Sequence, residues 1–136
     1  MAYKGQPVPS TVHHSYRAKV SDGKSVRVTV PEKTEINAQQ FYLFGGFFGA
    51  AMESVTTGPG ETGEVILNIE QAEFETDQIV TTDAFAAGDT VYWNGSKLTT
   101  KAESGGESPT PYRVVGRVTA PKDSKNVIWF LLGPQV

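Results

Sequence analysis

No cysteine occurs among the 136 residues of this chain. That absence excludes disulfides, thiolate zinc sites and thiol nucleophiles together, so packing and hydrogen bonds alone must hold the fold, and a reducing cytoplasm suits it. Histidine is nearly missing: His13 and His14 are the only two. Neighbouring side chains on an extended segment point apart and nothing completes a ligand set, so the pair is expected to be solvated. A long apolar run is lacking too. The longest, FYLFGGFFGAAM at 41 to 52, has twelve residues and three glycines, well short of the roughly 20 that a membrane helix needs. It also lies too far from the start, without a basic segment before it, to be a signal peptide. No membrane partner is expected.

Catalytic signatures are equally scarce. There is no G-x-S-x-G, no Ser/His/Asp set that can be localised, and no glycine-rich loop leading into a helix. Glu73, Glu75 and Asp77 could share a strand face and hold a hard cation, but calcium sites recruit more oxygens from a tight loop. A solvated strand face is the expectation. No basic patch interleaves with aromatics, so nucleic acid is not an expected partner. The chain reads as a non-enzyme with no catalytic residue, no metal and no cofactor.

Charge is segregated. Residues 1 to 33 carry a net +4, residues 34 to 90 a net −10 with no Lys or Arg at all, and residues 91 to 136 a net +3. Such a chain can meet complementary surfaces when copies assemble.

What the sequence has in quantity is turn residues, 14 glycines and 8 prolines, with 38% hydrophobic content. About ten short strands are expected, separated by turns, as in a β-sandwich or small barrel. The clearest element is AGDTVYWNGSKLTT, residues 87 to 100. Asn94-Gly95 predicts a type I′ hairpin that opposes Trp93 to Ser96, Tyr92 to Lys97 and Val91 to Leu98. Val91, Trp93 and Leu98 then share the inward face. Asn94-Gly95-Ser96 also matches a glycosylation sequon, but the turn already accounts for it.

Elsewhere, residues 15 to 20 and Ser25–Val30 read as strands around an Asp22-Gly23 turn, and one helical turn is expected within 32 to 39. Strands follow at 41 to 44, 47 to 52, 64 to 70, 74 to 80 and 112 to 119, with loops at 56 to 63 and 103 to 111. The run VIWFLL, residues 127 to 132, is apolar on both faces and reads as a doubly buried central strand, with Val127, Trp129 and Leu131 packed on one side and Ile128 and Phe130 on the other. Trp93 and Trp129 could in principle line a sugar platform, though packing is the stronger expectation. A faint echo links Phe48-Gly49-Ala50-Ala51 and the strand after it to Val115-Gly116-Arg117-Val118 and its own successor.

Residues 1 to 14, with two prolines and no periodicity, read as an extended N-terminal arm that orders on a partner. Residues 15 to 136 then form one domain. Tyr3, Val8, Val12 and Tyr16 are apolar anchors in and next to the arm, Lys4 adds charge, and Arg17 and Lys19 follow. These seven are the candidate contact residues.

The series FGGFFGAAME, TGEVILNIEQAEFE, AFAAGDTVYWNGSKLTT, YRVVGRVTA and NVIWFLL, over about residues 36 to 132, resembles a family of small tailed-bacteriophage capsid decoration (cement) proteins. Ala87-Gly88-Asp89 followed by Val91-Tyr92-Trp93 is its most specific element. The resemblance implies an all-β fold, a small β-sandwich or jelly-roll-like barrel, on the outer surface of the virion. It implies a protein that cements the head by bridging neighbouring major capsid proteins, acting as a homodimer or homotrimer after synthesis in the bacterial cytoplasm. A carbohydrate- or receptor-binding β-module of a phage or bacterial surface structure is the alternative reading.

Overall fold

Alternating apolar and polar residues, broken at short intervals by glycine and proline, allow strands and little else. The structure, a computed structural model, describes residues 18–135. Among these there is no helix, and eleven strands follow in order. Three sheets result. Ser25–Val30 (β1), Phe41–Phe44 (β3), Phe47–Ala51 (β4) and Gly63–Asn68 (β6) form the first, in the order β1-β6-β4-β3. Glu73–Thr76 (β7), Thr90–Trp93 (β8), Leu98–Thr99 (β9), Arg113–Ala120 (β10) and Ile128–Leu132 (β11) form the second, in the order β7-β11-β10-β8-β9. Glu35–Ile36 (β2) and Val55–Thr56 (β5) make a small antiparallel ribbon. The two larger sheets are curled into half-barrels, as an all-β barrel or sandwich requires.

The two large sheets share one connection rule. In the first sheet, and in the second when its short edge strand β9 is set aside, the first and fourth strands pair, followed by the third and the second, which is a Greek-key order. The pairing registers coincide: Ser25 faces Asn68 and Val28 faces Val65, while Glu73 faces Leu131 and Thr76 faces Ile128. Even the bond that closes each quartet is repeated. The Ile69 N–H donates to Lys24 O at 3.0 Å, and the Leu132 N–H donates to Ala72 O at 3.0 Å. The echo in the sequence is therefore a repeat of topology.

Two cores fill the half-barrels. Val28, Val30, Ile36, Ala51, Val65 and Leu67 pack inside the first sheet, closed by the β2–β5 ribbon. The larger core lies inside the second sheet, around Val91, Trp93, Leu98, Ile128 and Phe130. Phe41, Phe48 and Ala50, from the outer side of the first sheet, complete it. The Phe41 and Phe48 rings stack at 5.5 Å. Two glutamines act as stand-in strands for these phenylalanines. The Gln78 amide bonds both Phe41 N (2.8 Å) and Phe41 O (2.9 Å), and that of Gln135 bonds Phe48 N and O at 2.9 Å each. Buried backbone groups that no strand reaches are satisfied in this way.

Four expectations need correction. Residues 32–39 form no helical turn; Lys33 (φ 55°) and Gln39 (φ 70°) are left-handed, and between them Ile36 is buried in β2 against Val55 of β5. Residues 18–20, the described part of the strand expected at 15 to 20, are not in a sheet. The hairpin opposes Trp93 to Leu98 and Tyr92 to Thr99, not to Ser96 and Lys97. Here Asn94 does not adopt positive φ; its side-chain oxygen accepts from the N–H groups of Ser96 and Lys97 (3.0 and 2.9 Å) and holds a wider loop in which only Gly95 (φ 106°) is left-handed. The slip is two residues, so Leu98 still shares the inward face with Val91 and Trp93. The last correction concerns β11. Ile128, Phe130 and Leu132 are buried, while Trp129 and Leu131 are each 47% exposed. One face of this strand is core and the other is surface.

Candidate functional site

Among the described residues no group of three or more His, Asp or Glu could hold a metal ion. Glu73 and Glu75 lie on the outward face of β7, where each is engaged singly. Glu73 accepts from the Thr119 hydroxyl at 2.6 Å and Glu75 from the Trp129 indole N–H at 3.2 Å. The two tryptophans do not form a platform, because Trp93 is buried and Trp129 is on the surface.

One buried carboxylate, Asp83, has a structural task. Burial alone would raise its pKa, but hydrogen bonds from the Thr99 hydroxyl (2.5 Å) and the Thr100 N–H (3.0 Å), with Lys101 nearby, hold it below the ordinary value. The Lys122 ammonium donates to the carbonyls of Thr81 and Asp83 at 2.6 and 2.9 Å. Together they pin the segment that inserts Phe85 into the larger core. Asp123 works similarly on the surface. Its Oδ1 accepts from the N–H groups of Val127 and Lys125, which lowers its pKa and shapes the turn before β11.

The feature that stands out is a face. Leu131 and Trp129 on β11 and Val114 on β10, the last 57% exposed, form an apolar stripe across the outer side of the second sheet. Glu73 and Glu75 rim it on one side, since Glu73 pairs with Leu131 and Glu75 with Trp129 in the β7–β11 ladder. Next to the stripe a groove of about 490 Å³ runs over Gly116, walled by Val114, Leu131, Thr90 and Pro134. Arg117, the register partner of Leu131 on β10, also lines this groove, and its guanidinium donates to Gly88 O.

A match to the phage cement protein family extends over residues 20–132. The chain belongs to the phage cement protein family. No curated protein and no solved structure gives a match. Membership accords with the resemblance carried by residues 36 to 132, and it reaches further towards the N-terminus, to include β1. As a member of a family of phage structural proteins, this cement protein has its function in its surface.

Of the seven expected contact residues, Tyr3, Lys4, Val8, Val12, Tyr16 and Arg17 lie outside the described residues. Lys19 is exposed and pairs with Asp22 at 2.8 Å. The stripe of Val114, Trp129 and Leu131 was missed by sequence reasoning, which placed Trp129 and Leu131 in the core. Its only signal was the even apolarity of VIWFLL, which does not say which side another layer covers.

Proposed function

We propose that this cement protein decorates the outer surface of a phage head and bridges neighbouring major capsid proteins. The observation that carries this reading is the family match, which takes in nearly all of the β-domain. Cementing needs no reacting group. One multivalent particle that touches several capsid subunits gains effective concentration from modest individual contacts.

In this reading residues 1 to 14 act as an arm, residues 15 to 136 as the decorating domain, and the protein works with the major capsid protein and with itself as a dimer or trimer. Tyr3, Val8, Val12 and Tyr16 supply apolar contacts, and Lys4, Arg17 and Lys19 supply charge opposite acidic groups. The composition supports it, because the first 33 residues are net basic and the next 57 are strongly acidic. The ordering entropy of such an arm is recovered from its contacts on the partner.

The test adds protein lacking residues 2 to 14 to undecorated heads and measures occupancy after sedimentation. The expected result is a folded domain with greatly weakened binding. Full occupancy at wild-type concentration would move attachment to the loops at 56 to 63 and 103 to 111.

A further inference from the structure

The outer face of the second sheet has a counterpart in the same molecule. On the first sheet, Phe41, Phe48 and Ala50 also point outward, and there the second sheet covers them. On the second sheet the face of Val114, Trp129 and Leu131 has no such cover among the described residues. Val114 and Leu131 wall the groove and Trp129 lies two residues along β11, and exposed apolar groups of this size mark a binding surface more than a chance of composition. An acidic rim, Glu73 and Glu75, says what charge the occupant should bring.

A candidate counterpart is the segment that leads into β1. Val20 is 95% exposed, so it does not pack on the described residues. Lys19 precedes it and Lys24 and Arg27 follow, the last at the β1 position equivalent to Glu75 of β7. Among the described residues these cations are held by exposed pairs, Lys19 with Asp22 at 2.8 Å, Lys24 with Glu70 at 3.4 Å and Arg27 with Glu64 at 3.6 Å. Pairs of that kind contribute little and leave donors free. An exposed valine followed by cations leads into β1, and an apolar groove with acids beside it lies on the second sheet.

We propose that the outer face of the second sheet receives a second copy of this chain through its residues 19 to 27. Val20 enters the groove beside Leu131 and Val114, and Lys24 and Arg27 meet Glu73 and Glu75. The two patches differ, so the contact is heterologous. Repeated with closure, it makes a ring whose members each give one pole and receive the other. The proposal rests on the self-association included in the functional reading above and assigns the surface that carries it. Buried apolar contact supplies the affinity, and the charges set register and exclude the reverse orientation.

The experiment compares the full-length protein with E73K/E75K, K24E/R27E and the fourfold combination. Mass is followed by sedimentation equilibrium over a concentration series, with Trp129 emission as a second readout. All four positions are exposed, and circular dichroism checks that each variant is folded. The wild type should be a concentration-dependent oligomer with blue-shifted Trp129 emission. Each double variant should weaken association by roughly tenfold or more, and the fourfold swap should restore it, because opposite charges again face each other. A wild-type protein that stays monomeric overturns the proposal. So do double variants that associate like wild type, or a fourfold variant no better than either double. Binding to undecorated heads is measured separately on the same proteins. Intact oligomers that fail to bind heads would count against the cementing role while leaving this interface standing. Dissociated variants that still bind, more weakly, would keep both.

Discussion

Gly49 of β4 and Gly116 of β10 occupy the same place in the two strand quartets. A Cβ on Gly49 would overlap the carbonyl oxygen of Asn68, and one on Gly116 would overlap that of Leu131. In each case the overlapped residue is the register partner of the residue after the glycine, Ala50 in one sheet and Arg117 in the other. The fourth strand of each quartet thus lies so close to the third that no side chain fits between them. Close backbone approach, more than a turn, is what these glycines provide.

Replacing either glycine with alanine is therefore expected to force two paired strands apart. Because the obstacle is backbone and cannot rotate away, Gly116→Ala and Gly49→Ala should each cost at least about 1–3 kcal/mol. Urea unfolding measures this. A midpoint unchanged by Gly116→Ala would show that the sheet yields easily there.

The β8–β9 loop offers a different glycine test. Gly95 has φ 106° with open space around the position of a Cβ, so a substitution there meets conformational strain and no clash. Gly95→Val should lose roughly 1–3 kcal/mol. A thermal melt identical to wild type would mean that the loop can adopt another turn.

On β11 two neighbours should behave oppositely. Phe130 is completely buried between Phe41 and Phe74, and Phe130→Ala should cost about 3–5 kcal/mol. Trp129, half in solvent, should cost less than about 1 kcal/mol when changed to alanine. Chemical denaturation of both variants decides whether the strand faces are assigned correctly. Equal losses would reverse the assignment.

The network at Asp83 predicts a dependence on acid. In the unfolded chain this carboxyl ionises near the ordinary value of about 3.9, and in the fold it ionises lower. Its contribution is thus fully present above that ordinary value and is lost as pH falls through the lower folded one. Asp83→Asn should be less stable than wild type at neutral pH, and the gap should narrow as acid protonates Asp83 in the parent. Melting temperatures from pH 7 down to 2 test this. A gap that stays constant would place the loss in geometry and not in charge.

Much of this architecture was legible in the chain. Short alternating segments such as Val26, Val28 and Val30, with glycine and proline between them, leave only strands, and the family resemblance rested on the order of those segments. Even the paired glycines could be seen as an echo, because close strand contact excludes every other residue. Local pattern has a period of two, so it specifies which residues share a face but not which face is covered. That is why Val91, Trp93 and Leu98 were grouped correctly although the hairpin slipped by two residues: an even shift preserves the face, and the loop is set by what the Asn94 side chain bonds. It is also why β11 could not be read. Ile128 and Trp129 look equally apolar in sequence, and only the folding of the second sheet over Phe41 and Phe48 buried one and left the other outside. The chain by itself determined strands, turns and the absence of any thiol chemistry, which are local properties of side chains and backbone. The outer stripe of Val114, Trp129 and Leu131 with its acidic rim exists only because β7 was brought into one sheet with β10 and β11, dozens of residues later, with none of the described residues laid over it.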